Sequence, residues 1–138
     1  MKVEKIMSAP VQSTTPSAPI SEAAAQMREH CVGALVVMDG EEPAGIVTDR
    51  DIVVRVLAKQ CQDLPVREAM SSRVFACDVR QDVAEVSGLM GDHQVRRLLV
   101  MDGQNRLVGL VSVADIAEHA SEELAGQALG EICEDRSS

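Results

Sequence analysis

Apolar positions along this chain fall into two rhythms, and the two alternate. In "ISEAAAQMREH" the residues Ile20, Ala23, Ala24 and Met27 lie three and four apart, which predicts a helix with one buried face. "VAEVSGLMGDH" repeats the spacing with Val83, Val86, Leu89 and Met90. The short continuous runs "ALVVM" and "RLLVM" read as buried strands, and the "DG" of the turns that follow them predicts hairpins returning through "AGIVT" and "LVGLVS". "DRDIVVRVLAK" and "VADIAEHA" read as closing helices. "VEKIMS" and "VREAMS" read as helical turns leading in, with brief strands expected around Val11–Thr14 and Val74–Cys77. The order is strand, helix, strand, strand, helix, twice over, which predicts a mixed α/β fold of the α+β type. A unit so small has a sheet face that it cannot cover alone, so the two units are expected to pack together.

The double reading is a duplication. At an offset of 63, Val3 meets Val66, Met7 meets Met70, Glu22 meets Glu85, Met27 meets Met90 and His30 meets His93; "VMDG" at 37–40 meets "VMDG" at 100–103. One extra residue in the second turn makes the offset 64, and Gly45, Asp51 and Ile52 then meet Gly109, Asp115 and Ile116. The expected division is residues 1–58, a linker at 59–65, residues 66–120, and an amphipathic tail at 121–138. The tail carries Leu124, Leu129 and Ile132, caps the module or a neighbour, and then frays.

Composition narrows what such a protein does. Apolar residues make up 46% of the chain, but Phe75 is its one aromatic, so Val, Leu, Ile, Met and Ala must build the core. The seven Met residues are expected on buried faces. A net charge of −9 disfavours nucleic acid and anionic membranes as partners. The apolar runs are too short to span a bilayer, and "MKVEKIMSAP" lacks the apolar region of a signal peptide, so the cytoplasm is the expected compartment. Cys31, Cys61, Cys77 and Cys133 show no metal-knuckle spacing and read as reduced packing residues. His30 and His93 each end a helix, where a cation suits the dipole, and two His alone make a poor metal site.

The candidate chemistry lies in "GIVTDRDIV" at Gly45–Val53 and "GLVSVADIA" at Gly109–Ala117. Each puts a hydroxyl three residues before a carboxylate: Thr48 with Asp51, and Ser112 with Asp115. One reading is a capping box, in which the two side chains satisfy amides at a helix start.

These residues, with "MS" at each entry and "VMDG" at each hairpin, resemble a tandem pair of CBS domains, or Bateman module, over nearly the whole chain. "TDRDIV" is similar in particular to small stand-alone bacterial members. The resemblance implies two units about a pseudo-two-fold axis, with two clefts between them that hold adenosine nucleotides (AMP, ADP, ATP or related ligands). It gives Asp51 and Asp115 to the ribose hydroxyls, and Thr48 and Ser112 to the ribose or phosphate. Adenine then lies at strand edges near Val11–Thr14 or Val74–Cys77. The chemistry suits a cis-diol, since a carboxylate accepts two O–H bonds at once, and amides at the same helix start can hold a phosphate. Arg96 and Arg97, entering the second copy's strand, are candidate phosphate contacts, with Arg50 a further one. The first copy has Gly33 and Ala34 at the positions of the Arg pair, and the pair can serve either cleft.

The resulting expectation is a non-enzymatic sensor that binds an adenine nucleotide and reports its occupancy to a protein effector. The alternative is a ligand-free stress-response or assembly scaffold. No nucleophile–base pair, metal set or Gly-rich phosphate loop points to catalysis. A homodimer is expected through the helices starting near Ile20, Asp49, Val83 and Ala114.

Overall fold

The computed structural model describes residues 1–60 and 62–137. They form two compact units, and the units are not cut at the repeat boundaries. The first unit is Val11–Val74; the second joins Met1–Pro10 to Phe75–Ser138. Each lead-in segment thus packs with the other copy's sheet and helices.

In the first unit, β1 (Ser13–Thr14) runs parallel to β2 (Ala34–Asp39), and β2 pairs antiparallel with β3 (Glu42–Thr48). Helix α1 (Ile20–His30) connects β1 to β2, and α2 (Asp49–Arg55) follows β3. Leu35, Val37 and Val47 face Ile20, Ala23 and Met27 of α1, and the alternation along β2 and β3 supplies that face. Val66 and Ala69, from the single helical turn Val66–Glu68 and the residue after it, complete the core. The second unit repeats the plan with β4 (Ala76–Asp78), α3 (Val83–His93), β5 (Arg97–Met101), β6 (Leu107–Ser112) and α4 (Val113–His119). Val3 and Ile6, around the turn Val3–Lys5, fill the place of Val66 and Ala69.

This exchange explains the glycines of "GIVT" and "GLVS". Ser8 exchanges backbone hydrogen bonds with Leu110, and Ser71 does so with Ile46, so each lead-in lies along its unit's last strand. A Cβ on Gly45 would stand 2.5 Å from the Ser71 carbonyl oxygen, and one on Gly109 would strike Met7. The glycines serve close backbone approach.

The tail is a helix that covers the second unit. It forms α5 (Glu122–Ile132), packed on α3 and α4 with Ala125 and Ala128 buried, Leu124 and Ile132 half-buried, and Leu129 exposed. Close approach works because Gly91 of α3 has no side chain to collide with Glu131. Ser87 Oγ donates to the Leu124 carbonyl, and Gln94 Nε2 donates to the carbonyls of Glu131, Ile132 and Glu134. The segment beyond α5 is also fastened rather than frayed. The Arg136 guanidinium donates to the Gly91 and Asp92 carbonyls at the end of α3, where a cation meets free acceptors.

Smaller expectations also change. Ala24 is exposed, because α1 buries only the stripe Ile20, Ala23 and Met27. Met1 is exposed, while the other Met residues are buried or half-buried. Cys77 is a packing residue, but Cys31 and Cys133 are exposed: Cys31 ends α1 in the left-handed conformation (φ 54°), and Cys133 ends α5. The packing expectation for Cys61 lies outside the described residues. Among the described residues no helix is long and apolar enough to cross a membrane.

Candidate functional site

The two hydroxyl–carboxylate pairs are capping boxes, and the geometry is the same in both units. Thr48 caps α2: its Oγ1 accepts from the Asp51 amide at 3.2 Å, and Asp51 Oδ2 accepts from the Thr48 amide at 2.9 Å. Ser112 caps α4 with the corresponding distances of 3.1 and 2.9 Å, and its hydroxyl also donates to Asp115 Oδ2 at 3.0 Å. In each case the cap uses one carboxylate oxygen and leaves Oδ1 over. Capping therefore does not consume the acceptor pair.

The spare oxygens differ. Asp115 Oδ1 takes no hydrogen bond among the described residues. Asp51 Oδ1 stands 3.9 Å from Arg55 Nε, and Arg55 is itself held by Nη1 bonds to the Ala69 and Met70 carbonyls. The residue matching Arg55 in the second copy is His119, whose Nε2 lies near Glu118.

The amides expected to hold a phosphate are mostly spoken for. In α2 the Asp49 amide donates to the Gly33 carbonyl, the Arg50 amide to Asp49 Oδ1 and the Asp51 amide to Thr48. In α4 the Val113 amide donates to the Arg96 carbonyl and the Asp115 amide to Ser112. Both helices are seven residues long, so little dipole accumulates. Phosphate attraction has to come from side chains.

Arg97 is the cross-strand partner of Ser112, and Arg96 precedes it, so the pair adjoins the Ser112–Asp115 box of its own unit. Arg96 is exposed with Nη2 3.8 Å from Cys133 Sγ, while Arg97 is half-buried. The first unit puts Ala34 opposite Thr48, and Gly33 against the carboxylate of Asp49. Arg50 is exposed on the same side of α2 as Val53 and Val54. Val11 and Thr14 fall in the first unit with Thr48 and Asp51, as does Val74; Cys77 falls in the second with Ser112 and Asp115. The strands are shorter than expected: Val11 precedes β1 and Val74 precedes β4. Burial, reinforced by neighbouring Asp78, pushes the Cys77 thiol up to about 11, so it is an inert group.

Sequence reasoning missed two features beside these sites. Arg55 was legible only as a helix residue, yet it links Asp51 to the lead-in carbonyls. Phe75 stacks on His93 with ring centroids 3.9 Å apart, a pairing without a counterpart in the first copy, where Gln12 and His30 hold the matching positions. Among the described residues no three metal-ligating side chains cluster.

Comparison with known proteins shows the family and the fold. The family model for the CBS domain matches twice, at residues 3–58 and 66–122. The chain is 39% identical over 132 residues to the CBS domain-containing protein YhcV of Bacillus subtilis, covering 94% of each. It resembles a CBS domain protein from Pyrobaculum aerophilum complexed with AMP (TM-score 0.78, 26% identity, 91% of this chain and 99% of that one). It also resembles the CBS domain pair of protein MJ0100 in complex with methylthioadenosine and S-adenosyl-L-methionine (TM-score 0.75, 26% identity, 92% and 98%). The chain belongs to the CBS-domain family and contains two CBS repeats.

Proposed function

We propose that this protein is a non-enzymatic regulatory module that binds an adenosine ligand, with Asp51 and Asp115 as receptors for the ribose diol. The observation that carries the reading is the division of labour within each carboxylate. One oxygen holds the helix start rigid, and the other, free at Asp115, remains to accept hydroxyls. A fixed, charged acceptor needs no reorganisation when a diol arrives. Two structural neighbours whose complexes contain AMP, or methylthioadenosine and S-adenosyl-L-methionine, support the adenosyl part as the shared element. With most helix-start amides occupied, any preference for AMP, ADP or ATP rests on Arg96 and Arg97, and adenine rests on strand edges near Val11, Thr14, Val74 and Cys77. The module works in the cytoplasm as a homodimer and passes ligand occupancy to a protein effector.

The test is calorimetric titration of the parent and the Asp115→Ala variant with adenosine, AMP, ATP and S-adenosyl-L-methionine. The parent should bind at least one of them, and Asp115→Ala should weaken it. The absence of Trp and Tyr makes any co-purified adenine conspicuous in the ultraviolet spectrum. If no adenosine compound binds, the module is a ligand-free scaffold. The Arg55 contact that engages Asp51 favours that second reading for the first unit.

A further inference from the structure

Two helices of the second unit cap one another, and both caps meet at one short link. Gln94, Val95 and Arg96 join α3 to β5. Gln94 takes the left-handed conformation (φ 54°), which favours glycine at that place after a helix. Its side chain explains the exception. Nε2 donates to the carbonyls of Glu131, Ile132 and Glu134 at 3.1, 3.3 and 2.7 Å, so two hydrogens serve three acceptors at and just beyond the end of α5. The return cap comes from Arg136, whose Nη1 and Nη2 donate to the Asp92 and Gly91 carbonyls at 3.1 and 3.2 Å. Arg96 adds a third tie, with Nη2 3.8 Å from Cys133 Sγ. The strap of residues 133–136 is thus fastened to the link at several points.

The link's other contacts lead to the candidate site. The Arg96 carbonyl accepts the Val113 amide, the first of α4, at 3.0 Å, and Arg97 pairs with Ser112 across the strands. Residues 94–97 therefore connect the strap to the Ser112–Asp115 box, and they carry both candidate phosphate contacts of the second copy. All of these residues belong to one compact unit.

The first copy builds its box without this arrangement. The Gly33 carbonyl accepts the Asp49 amide at 3.0 Å, as the Arg96 carbonyl accepts that of Val113. Yet Gly91, Gln94 and Arg96 are matched there by Arg28, Cys31 and Gly33. Arg28 and Cys31 are exposed, and Gly33 has no side chain. In the second copy all three meet the tail: Gly91 makes room for Glu131, Gln94 caps α5, and Arg96 reaches Cys133. All but one residue of α5 lies beyond the segment that matches the CBS family model, so the strap is an addition to the family plan.

We infer that the strap is a positioning element for the second unit's phosphate contacts, and that it sets how strongly this unit prefers phosphorylated over unphosphorylated adenosyl ligands. The inference rests on the proposed function and names what regulates the same site. Arginines on a fixed link meet a phosphate without first ordering the backbone that carries them. Freeing the strap removes that advantage, while Asp115, held by the cap within α4, keeps its place for the diol. Coupling is reciprocal, so a phosphate held by the link steadies the strap by the same factor.

Calorimetry with adenosine and AMP tests this, in an Asp51→Ala background that leaves the second box alone to be read. Gln94→Gly suits the left-handed backbone and removes the three side-chain bonds; Arg136→Ala removes the return cap from an exposed residue. Each should lower the ratio of AMP affinity to adenosine affinity at least ~5-fold, the lower end of ordinary coupling, with adenosine binding little changed. Structural damage alone would weaken both ligands together. Arg136→Lys keeps a cationic donor for the α3 carbonyls and should restore part of the ratio. In the parent, AMP should slow hydrogen exchange at the Cys133 and Glu134 amides, which bond the Leu129 and Glu131 carbonyls, more than adenosine does. An unchanged ratio in both variants, or equal protection by the two ligands, overturns the inference and leaves the proposed function standing. Should Gln94→Gly misfold, Arg136→Ala decides the ratio. If the parent binds neither compound the inference falls, and the ATP and S-adenosyl-L-methionine titrations decide the proposed function separately.

Discussion

The two units are copies in sequence, and they differ where their helices meet solvent and charge. In the second unit α4 is held under α5, and Ile116 is fully buried. In the first unit α2 has no such cover: Ile52 is half-buried, and Val53, Val54 and Leu57 face outward. The capping boxes coincide, yet their electrostatics diverge. Arg96 and Arg97 adjoin the Ser112–Asp115 box, where Gly33, Ala34 and the carboxylate of Asp49 adjoin Thr48–Asp51. Duplication preserved the hydrogen bonds that build a helix start and let the surroundings drift apart. One box is left open and near cations; the other is partly closed by Arg55 and near an extra anion. Under the proposed function, the second unit is therefore expected to be the better receptor for an anionic adenosyl ligand.

The largest expected difference is in packing. Ile116→Ala should cost ~2–5 kcal/mol, the range for emptying a fully buried aliphatic site. Ile52→Ala removes a half-buried side chain and should cost about 1 kcal/mol. Urea unfolding of the two variants measures both, and equal losses would mean that α5 does not brace α4.

Much of this was legible in the sequence, because the duplication prints each signal twice. Helix α1 was visible from Ile20, Ala23 and Met27, and the hairpins from "VMDG", since helical and strand periodicities are local. The cap reading of Thr48–Asp51 and Ser112–Asp115 was local too. What was not legible is what depends on distance. The exchange of Val3 and Val66 between copies leaves no mark, because identical lead-ins fit either place. The cap of α1 is equally hidden: Pro19 has no side-chain acceptor, and Asp63 provides one from the linker, taking both the Ser21 amide and its hydroxyl. The Arg55 contact with Asp51 depends on a side chain folding back toward its own helix start, which spacing permits without requiring.

Next in size is ligand binding. If both carboxylates act as diol receptors, Asp115→Ala should lose roughly 1.5–3 kcal/mol of affinity, as for hydrogen bonds to a charged group. Asp51→Ala should lose less, because its Oδ1 is already shared with Arg55. Arg97→Ala should weaken AMP and ATP more than adenosine, which presents no anion. A greater loss for Asp51→Ala in the same titrations reverses the ranking of the units.

Acid should also separate them, by different caps. Asp63 is held below the ordinary carboxylate value of 3.8, first by the Ser21 hydroxyl and then by its amide. Asp82 is held below it by the Ala84 amide and then by the N-terminal ammonium. A lowered folded-state pKa stabilises the fold above 3.8, and that stabilisation is lost as pH falls through the lower folded values. Asp63→Asn should flatten the acid limb of Tm against pH through α1, and Asp82→Asn through α3. Both carboxylates are exposed, so the shifts are small, and an unchanged acid limb in Asp63→Asn would show that the linker does not cap α1.

The smallest expected effect bears most directly on why one box is open and the other shared. Arg55 Nε lies 3.9 Å from Asp51 Oδ1, and the Arg55 side chain is about half exposed. A pair so exposed contributes at most ~1 kcal/mol, and a diol arriving at Asp51 has to displace it. Removing the guanidinium therefore acts twice. It frees Oδ1 for the ligand, and it deletes the bonds to the Ala69 and Met70 carbonyls that tie α2 to the lead-in. Stability should fall slightly in Arg55→Ala, while adenosine affinity at the first unit rises several-fold in an Asp115→Ala background, where the other carboxylate is silent. Adenosine is the right probe, since losing a cation would penalise AMP and mask the gain. Arg55→Lys, which keeps the charge but not the planar fork, should fall between the two. If Arg55→Ala binds adenosine more weakly than its parent background, Arg55 belongs to the receptor, and the first unit's box is assisted rather than shared.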